Sequence, residues 1–185
     1  MTRIIAGWAG SLTIAVPGSG TRPTSDRVRE AIFSALEARD AIAGFRVLDL
    51  YAGSGALGLE AASRGASHVT LVDRNIQTGK LNAARILKQA PKGTKPTIET
   101  TSQAVQPFLT SARVFWDLVF MDPPYELGLA DIAQNLEALV PRLSPGAIVV
   151  LERSSRTPEP EWPAGLTLER RKDYGDTALF WASTE

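Results

Sequence analysis

The string Asp122-Pro123-Pro124-Tyr125 sets a carboxylate, two consecutive prolines and an aromatic ring side by side, directly after an apolar run at residues 116–121. Proline holds φ at about −65° and has no N–H, and the residue before it is driven to an extended conformation. Such a loop is stiff, with carbonyls turned outward beside the acid and the ring. The array suits a flat, weakly nucleophilic amine such as that of a nucleic-acid base, whose lone pair is delocalised into the ring. Asp122 and the Pro123 carbonyl can hold its two hydrogens and turn the lone pair towards an electrophile, while Tyr125 stacks on the unpaired base. Catalysis would then rest on positioning and electrostatics rather than on a strong base.

A second string, residues 47–58, contains Asp49, Tyr51, Gly53, Ser54, Gly55 and Gly58 where an apolar run gives way to a helical pattern. Glycines there permit a tight turn and close approach of backbone to a ligand, and the helix start that follows has unpaired N–H groups. Asp73 follows twenty residues after Gly53, at the end of the next apolar run, and is placed to accept hydrogen bonds from the ribose hydroxyls of a nucleoside, with Arg74 beside it. The glycine spacing alone also fits a nicotinamide dinucleotide enzyme. Asp49 argues otherwise, because a carboxylate just before the loop repels a pyrophosphate and attracts the amino group of a methionine moiety. Its alternative role is to cap the loop by bonding backbone N–H groups. A dinucleotide enzyme would also leave the proline loop unexplained.

Alternating elements are needed to hold these strings. Apolar runs at 45–51, 68–73, 97–101, 116–121 and 147–151 read as strands, and the stretches after the glycine loop to about 63, then 75–89, 104–111 and 129–139, read as helices. This alternation predicts an open, mostly parallel, doubly wound sheet, with both strings at the carboxyl ends of its strands. Residues 166–172 and 177–182, joined through Tyr174-Gly175-Asp176, predict an antiparallel pair. Residues 3–15 predict a small hairpin, and Thr24 or Ser25 a cap for a helix with Val28, Ile32, Phe33 and Leu36 on one face. The division expected is a hairpin extension at 1–20 and one α/β domain at 21–185.

The 185 residues have a formal net charge of zero, and a strongly basic nucleic-acid binder is disfavoured on that count. With no cysteine, disulfides and thiolate metal sites are impossible. No run reaches the roughly 18 apolar residues of a membrane span, and the first residues do not read as a signal peptide, so a cytoplasmic protein is expected. No metal-ligand cluster is evident. Arg22, Arg27 and Arg29 can meet RNA phosphates or a cofactor carboxylate, Arg22 most of all; Arg27 and Arg29 can equally form an ion-paired helix face with Asp26 and Glu30. Arg153, Arg156, Arg170, Arg171 and Lys172 read as solvated charge more than as a second basic patch. His68 falls at the wrong end of its strand for catalysis.

Taken in order, Asp49-x-Tyr51-x-Gly53-x-Gly55, Asp73 and Asp122-Pro123-Pro124-Tyr125 resemble the amino-methyltransferases of the Rossmann-like class. Arg22-Pro23-Thr24-Ser25-Asp26-Arg27-Val28-Arg29-Glu30, Tyr174-Gly175-Asp176-Thr177 and the early Arg3-Ile4-Ile5-Ala6-Gly7 resemble the RsmD-type family, which makes N2-methylguanosine in small-subunit ribosomal RNA. The resemblance implies a seven-stranded sheet with its last strand antiparallel, and S-adenosylmethionine held by Gly53, Gly55 and Asp73. It further implies a guanine amine held by Asp122 to Tyr125. Where the wider class meets the adenine with an acid or amide, this chain has Thr101-Ser102-Gln103-Ala104, so the Ser102 hydroxyl or the backbone near Gln103 is expected there. A monomer acting on the assembled small subunit is expected. Adenine N6 or a protein glutamine as acceptor, and an assembly factor that binds cofactor without turnover, are the rival readings.

Overall fold

The computed structural model describes residues 1–18 and 24–185, so Arg22 lies outside the described residues. In chain order the elements are β1 (Thr2–Arg3), β2 (Thr13–Ile14), α1 (Asp26–Glu37), β3 (Arg46–Leu50), α2 (Ala56–Ser63), β4 (His68–Asp73) and α3 (Gln77–Leu87). They continue as β5 (Thr97–Ser102), α4 (Val105–Ser111), β6 (Trp116–Met121), α5 (Leu129–Leu139), β7 (Leu143–Ser154), β8 (Thr167–Tyr174) and β9 (Thr177–Ser183).

Strands β3 to β9 form one sheet in the order β5-β4-β3-β6-β7-β9-β8. Pairing from β5 through β7 is parallel, and β9 runs antiparallel to both β7 and β8. The central strands are buried on both faces and read as continuous apolar runs, whereas the edge strands β5 and β8 are largely polar and exposed. One apolar layer, with α1, α2 and α3, covers one face and includes Phe33, Leu59, Ile86 and Trp181. The other, under α4 and α5, includes Leu109, Trp116, Leu136 and Phe180. The chain winds outward from β3 to β5 and returns to place β6 on the other side of β3. A crevice therefore opens between the carboxyl ends of β3 and β6, where strand order reverses.

Three local findings bear on the site. β7 runs from residue 143 to 154, well beyond the expected 147–151, and carries Glu152 and Arg153 to the crevice end of the sheet. β3 stops at Leu50, because Tyr51 turns into the left-handed region at φ 60°. α3 begins at Gln77 rather than at residue 75, because the Asn75 N–H donates to Asp73 Oδ1 in a tight turn.

The N-terminal pair β1–β2 is short, and the segment between is tied down by α2. The Ile5 and Ala6 amides donate to the Glu60 carboxylate at 2.7 and 3.0 Å, and the Ala9 amide to Ser63 Oγ. A side chain at Gly7, which has φ 82°, would run into the Ser63 carbonyl. Arg29 belongs to this framework and not to a ligand-facing or solvated surface: it is fully buried, and its Nη2 donates to Thr2 Oγ1, the Arg3 carbonyl and Asp26 Oδ1. A guanidinium out of water needs such partners, and the bonds close the N-terminal segment onto α1.

Candidate active site

The crevice widens into a cleft of about 1020 Å³. That is more than a drug-sized ligand fills, with room for a nucleoside cofactor and an incoming base together. Its walls come from the approach to α1, the loops after β3 and β6, the ends of β4 and β7, and the β8–β9 turn.

The glycine loop is built from its own neighbourhood. Gly53 and Gly55 take φ of 55° and 80°, and Gly55 opens α2, where a Cβ would press on the Leu71 side chain at 2.8 Å. Asp73 Oδ2 accepts the Gly53 N–H at 2.9 Å. Asp49, 2% exposed, accepts the Gly58 N–H at 2.9 Å, so one of its oxygens does cap the start of α2 while the residue still lines the cleft. Burial above all, with the Asp73 charge adding, pushes the Asp49 carboxyl up to about 7. Tyr51 turns its hydroxyl to accept from the Asn135 side chain on α5.

The proline loop is held from outside. Thr24, just before the Ser25 cap of α1, places its hydroxyl 3.0 Å from Asp122 Oδ2 and 2.9 Å from Glu152 Oε2. On the opposite face of β7, Arg153 donates to the Pro124 carbonyl at 3.3 Å and the Leu127 carbonyl at 2.9 Å. Adjacent strand residues point to opposite faces, so Glu152 and Arg153 grip the loop from both sides of the sheet. Burial first, then the Glu152 charge, raises the Asp122 carboxyl well above the usual carboxylate range. Pro123 is buried beneath the loop, while the Tyr125 ring stands half-exposed at the mouth.

Asp49, Tyr51, Gly53, Ser54, Asp73, Arg74, Gln103, Asp122, Pro123, Pro124 and Tyr125 all line this one cleft. Gly55 shapes it without lining it. Ser102 does not line it, since it is exposed and its hydroxyl donates to the Arg74 carbonyl at 2.9 Å; Gln103, with the start of α4, forms that wall instead. Arg27 is exposed on α1 away from the cleft lining. Thr24, Glu152 and Arg153 are the residues the sequence patterns did not single out for the site. The one available signal was an acid–base pair ending an apolar strand.

Asp49, Asp73, Asp122 and Glu152 give the cleft a concentration of carboxylates that suits a ligand with net positive charge and opposes a pyrophosphate. Among the described residues, no His, Asp and Glu group is arranged to hold a metal ion, and no helix is long and apolar enough to cross a membrane.

The family model described as Conserved hypothetical protein 95 matches residues 2–182. The ribosomal RNA small subunit methyltransferase D of Escherichia coli K12 is 36% identical over 95% of this chain and 86% of its own length. The solved structure of a hypothetical protein from Thermus thermophilus superposes with TM-score 0.80 at 31% identity, covering 98% of both chains. Magnesium protoporphyrin IX methyltransferase from Synechocystis, solved with bound SAM, shares the fold at TM-score 0.65 and 15% identity. The chain thus belongs to the Conserved hypothetical protein 95 family, the family of ribosomal RNA small subunit methyltransferase D.

Proposed function

We propose that the protein transfers the methyl group of S-adenosylmethionine to the N2 amine of a guanine in small-subunit ribosomal RNA. One observation carries the chemistry: the glycine loop after β3 and the Asp122–Tyr125 loop after β6 open into the same cleft from either side of the point where strand order reverses. The base and the RNA are supported by the family and by the printed name of the Escherichia coli relative.

The residues fit the cofactor. Asp73 already holds the loop through one bond to each oxygen, and a carboxylate has roughly four acceptor positions, so it retains capacity for ribose hydroxyls. Asp49 meets the cofactor's amino group, and the wall at Gln103 meets the adenine. When bound, S-adenosylmethionine supplies an electrophilic methyl on a sulfonium. Asp122 and the Pro123 carbonyl hold the two amine hydrogens so that the nitrogen lone pair faces that methyl, and Tyr125 stacks on the base. In this reading Arg22 meets RNA phosphate, the protein works as a cytoplasmic monomer, and its substrate is the assembled subunit, because a neutral chain of this size has little surface for reading sequence.

The test is transfer from labelled S-adenosylmethionine to small subunits lacking the modification, followed by nucleoside mass spectrometry. N2-methylguanosine is expected. Methyladenosine or methylated protein would keep the transfer and replace the acceptor; no product on either particle or naked RNA would overturn the reading.

A further inference from the structure

Thr24, Asp122 and Glu152 come from three distant parts of the chain and meet at one hydroxyl. The Thr24 oxygen is 3.0 Å from Asp122 Oδ2 and 2.9 Å from Glu152 Oε2. A hydroxyl has a single hydrogen to donate. With both acids ionised it could satisfy only one of them, and two carboxylate charges would face each other at the buried end of β7. Both short contacts become hydrogen bonds when one acid is protonated and donates to the Thr24 oxygen. Of the two, Glu152 is the more buried at 7% exposure, while Asp122 is half-buried and reaches the cleft. Burial disfavours charge, so the proton belongs on Glu152.

We infer that Glu152, acting through Thr24, is a positioning residue that keeps Asp122 ionised towards the acceptor amine, with one proton held across the three groups. This rests on the methyl-transfer reading. Thr24 engages Oδ2 and leaves Oδ1 for an amine N–H. As the N–C bond forms, the C–S bond breaks with its electron pair going to sulfur, and the positive charge passes to nitrogen. One N–H proton then moves to Asp122 Oδ1, and the unit returns to its single-proton state by losing one proton to solvent in the cleft. The surroundings are consistent with a retained proton. From β3, Asp49 bears on Asp122, with Asp73 beyond it at the end of β4. Arg153 on β7 opposes them, Tyr51 and Tyr125 stand near that guanidinium, and on α1 Asp26 is turned away to Arg29.

The decisive experiment reads the proton directly and needs no turnover. At about pH 8, above the Asp49 value of about 7, infrared spectra of the wild-type protein should show a protonated-carboxyl stretch. That band should survive in Asp49→Asn and disappear in both Glu152→Gln and Asp122→Asn. A wild-type protein without the band, or a band that persists in Glu152→Gln, overturns the inference. Calorimetric S-adenosylmethionine affinity close to wild type will show that Glu152→Gln is folded. In single-turnover methyl transfer, the acid limb of its pH profile should move down by about one unit, because a neutral neighbour no longer opposes ionisation of Asp122. A profile superimposable on that of wild type counts against the role. Absence of transfer by the wild-type protein on any acceptor would instead defeat the methyl-transfer reading, leaving the infrared result to decide where the proton sits.

Discussion

The two halves of the cleft are built by different means. The glycine loop is shaped by backbone conformation and held by acids within about twenty residues of it: Asp73 bonds Gly53 and Asp49 bonds Gly58, at separations of 20 and 9 residues. The proline loop is held by side chains from far away. Thr24 reaches Asp122 across 98 residues, and Arg153 grips Pro124 and Leu127 across 29 and 26. A ligand that is always the same can be met by a compact local motif, whereas a base that must be aimed needs a platform fixed from several directions. Damage to the first half should therefore appear in cofactor affinity, and damage to the second in turnover.

Asp122→Ala should show the division most sharply. Methyl transfer should fall by about 10³-fold, while calorimetric affinity for S-adenosylmethionine stays within a few-fold. Equal losses in both would erase the distinction. Asp73→Ala is the converse. It should raise the cofactor Kd by about 10²-fold, roughly 2.7 kcal/mol, with kcat at saturating cofactor near wild type. A kcat defect at saturation would mean the halves are coupled.

Arg153→Met tests whether the platform must be braced. It frees two carbonyls, and with hydrogen bonds to charged groups contributing about 1.5–3 kcal/mol each, the melting temperature should drop by several degrees. Turnover should fall about tenfold with cofactor affinity unchanged. A cofactor defect would move Arg153 to the other half.

The smallest effect expected is a pH dependence confined to the cofactor half. Asp49 titrates at about 7 in the folded protein against 3.8 for the ordinary carboxyl, so a cation beside it binds best when the acid is ionised. Cofactor affinity should weaken by up to tenfold per pH unit below about 7, and Asp49→Asn should flatten the curve. Stability runs the other way. A carboxyl raised in the folded state contributes stability that is fully present below its unfolded value and lost as pH rises through the folded one. The cofactor-free protein should therefore melt higher near pH 5 than near pH 8, and Asp49→Asn should reduce that difference.

The same contrast explains what could be read in advance. Gly53, Gly55, Asp49 and Asp73 stand close enough in sequence for spacing alone to assemble them, and a strand that turns into a helix at glycine has few geometries available. Alternating strands and helices likewise predict the parallel sheet and its crevice. Spacing cannot show that Thr24 and Glu152, 128 residues apart, share a hydroxyl, because only strand order brings the end of β7 beside the approach to α1. Arg29 and Arg153 have the composition of surface charge, and each is buried because several acceptors converge on it. Ser102 had a fitting hydroxyl that the adjacent backbone had already engaged.

The position of β9 between β7 and β8 has a consequence for synthesis. β8 leaves the ribosome before the strand it must pair with, and until β9 inserts, β7 presents an unsatisfied edge next to the residues that hold the proline loop. Cofactor and base sites therefore mature on different schedules. The glycine loop can fold once β4 is complete, but the platform waits for residues 177–183. A nascent chain stalled short of them should hold the pieces of the cofactor cradle and be unable to aim an acceptor, which makes the C-terminal strand the step that arms the enzyme.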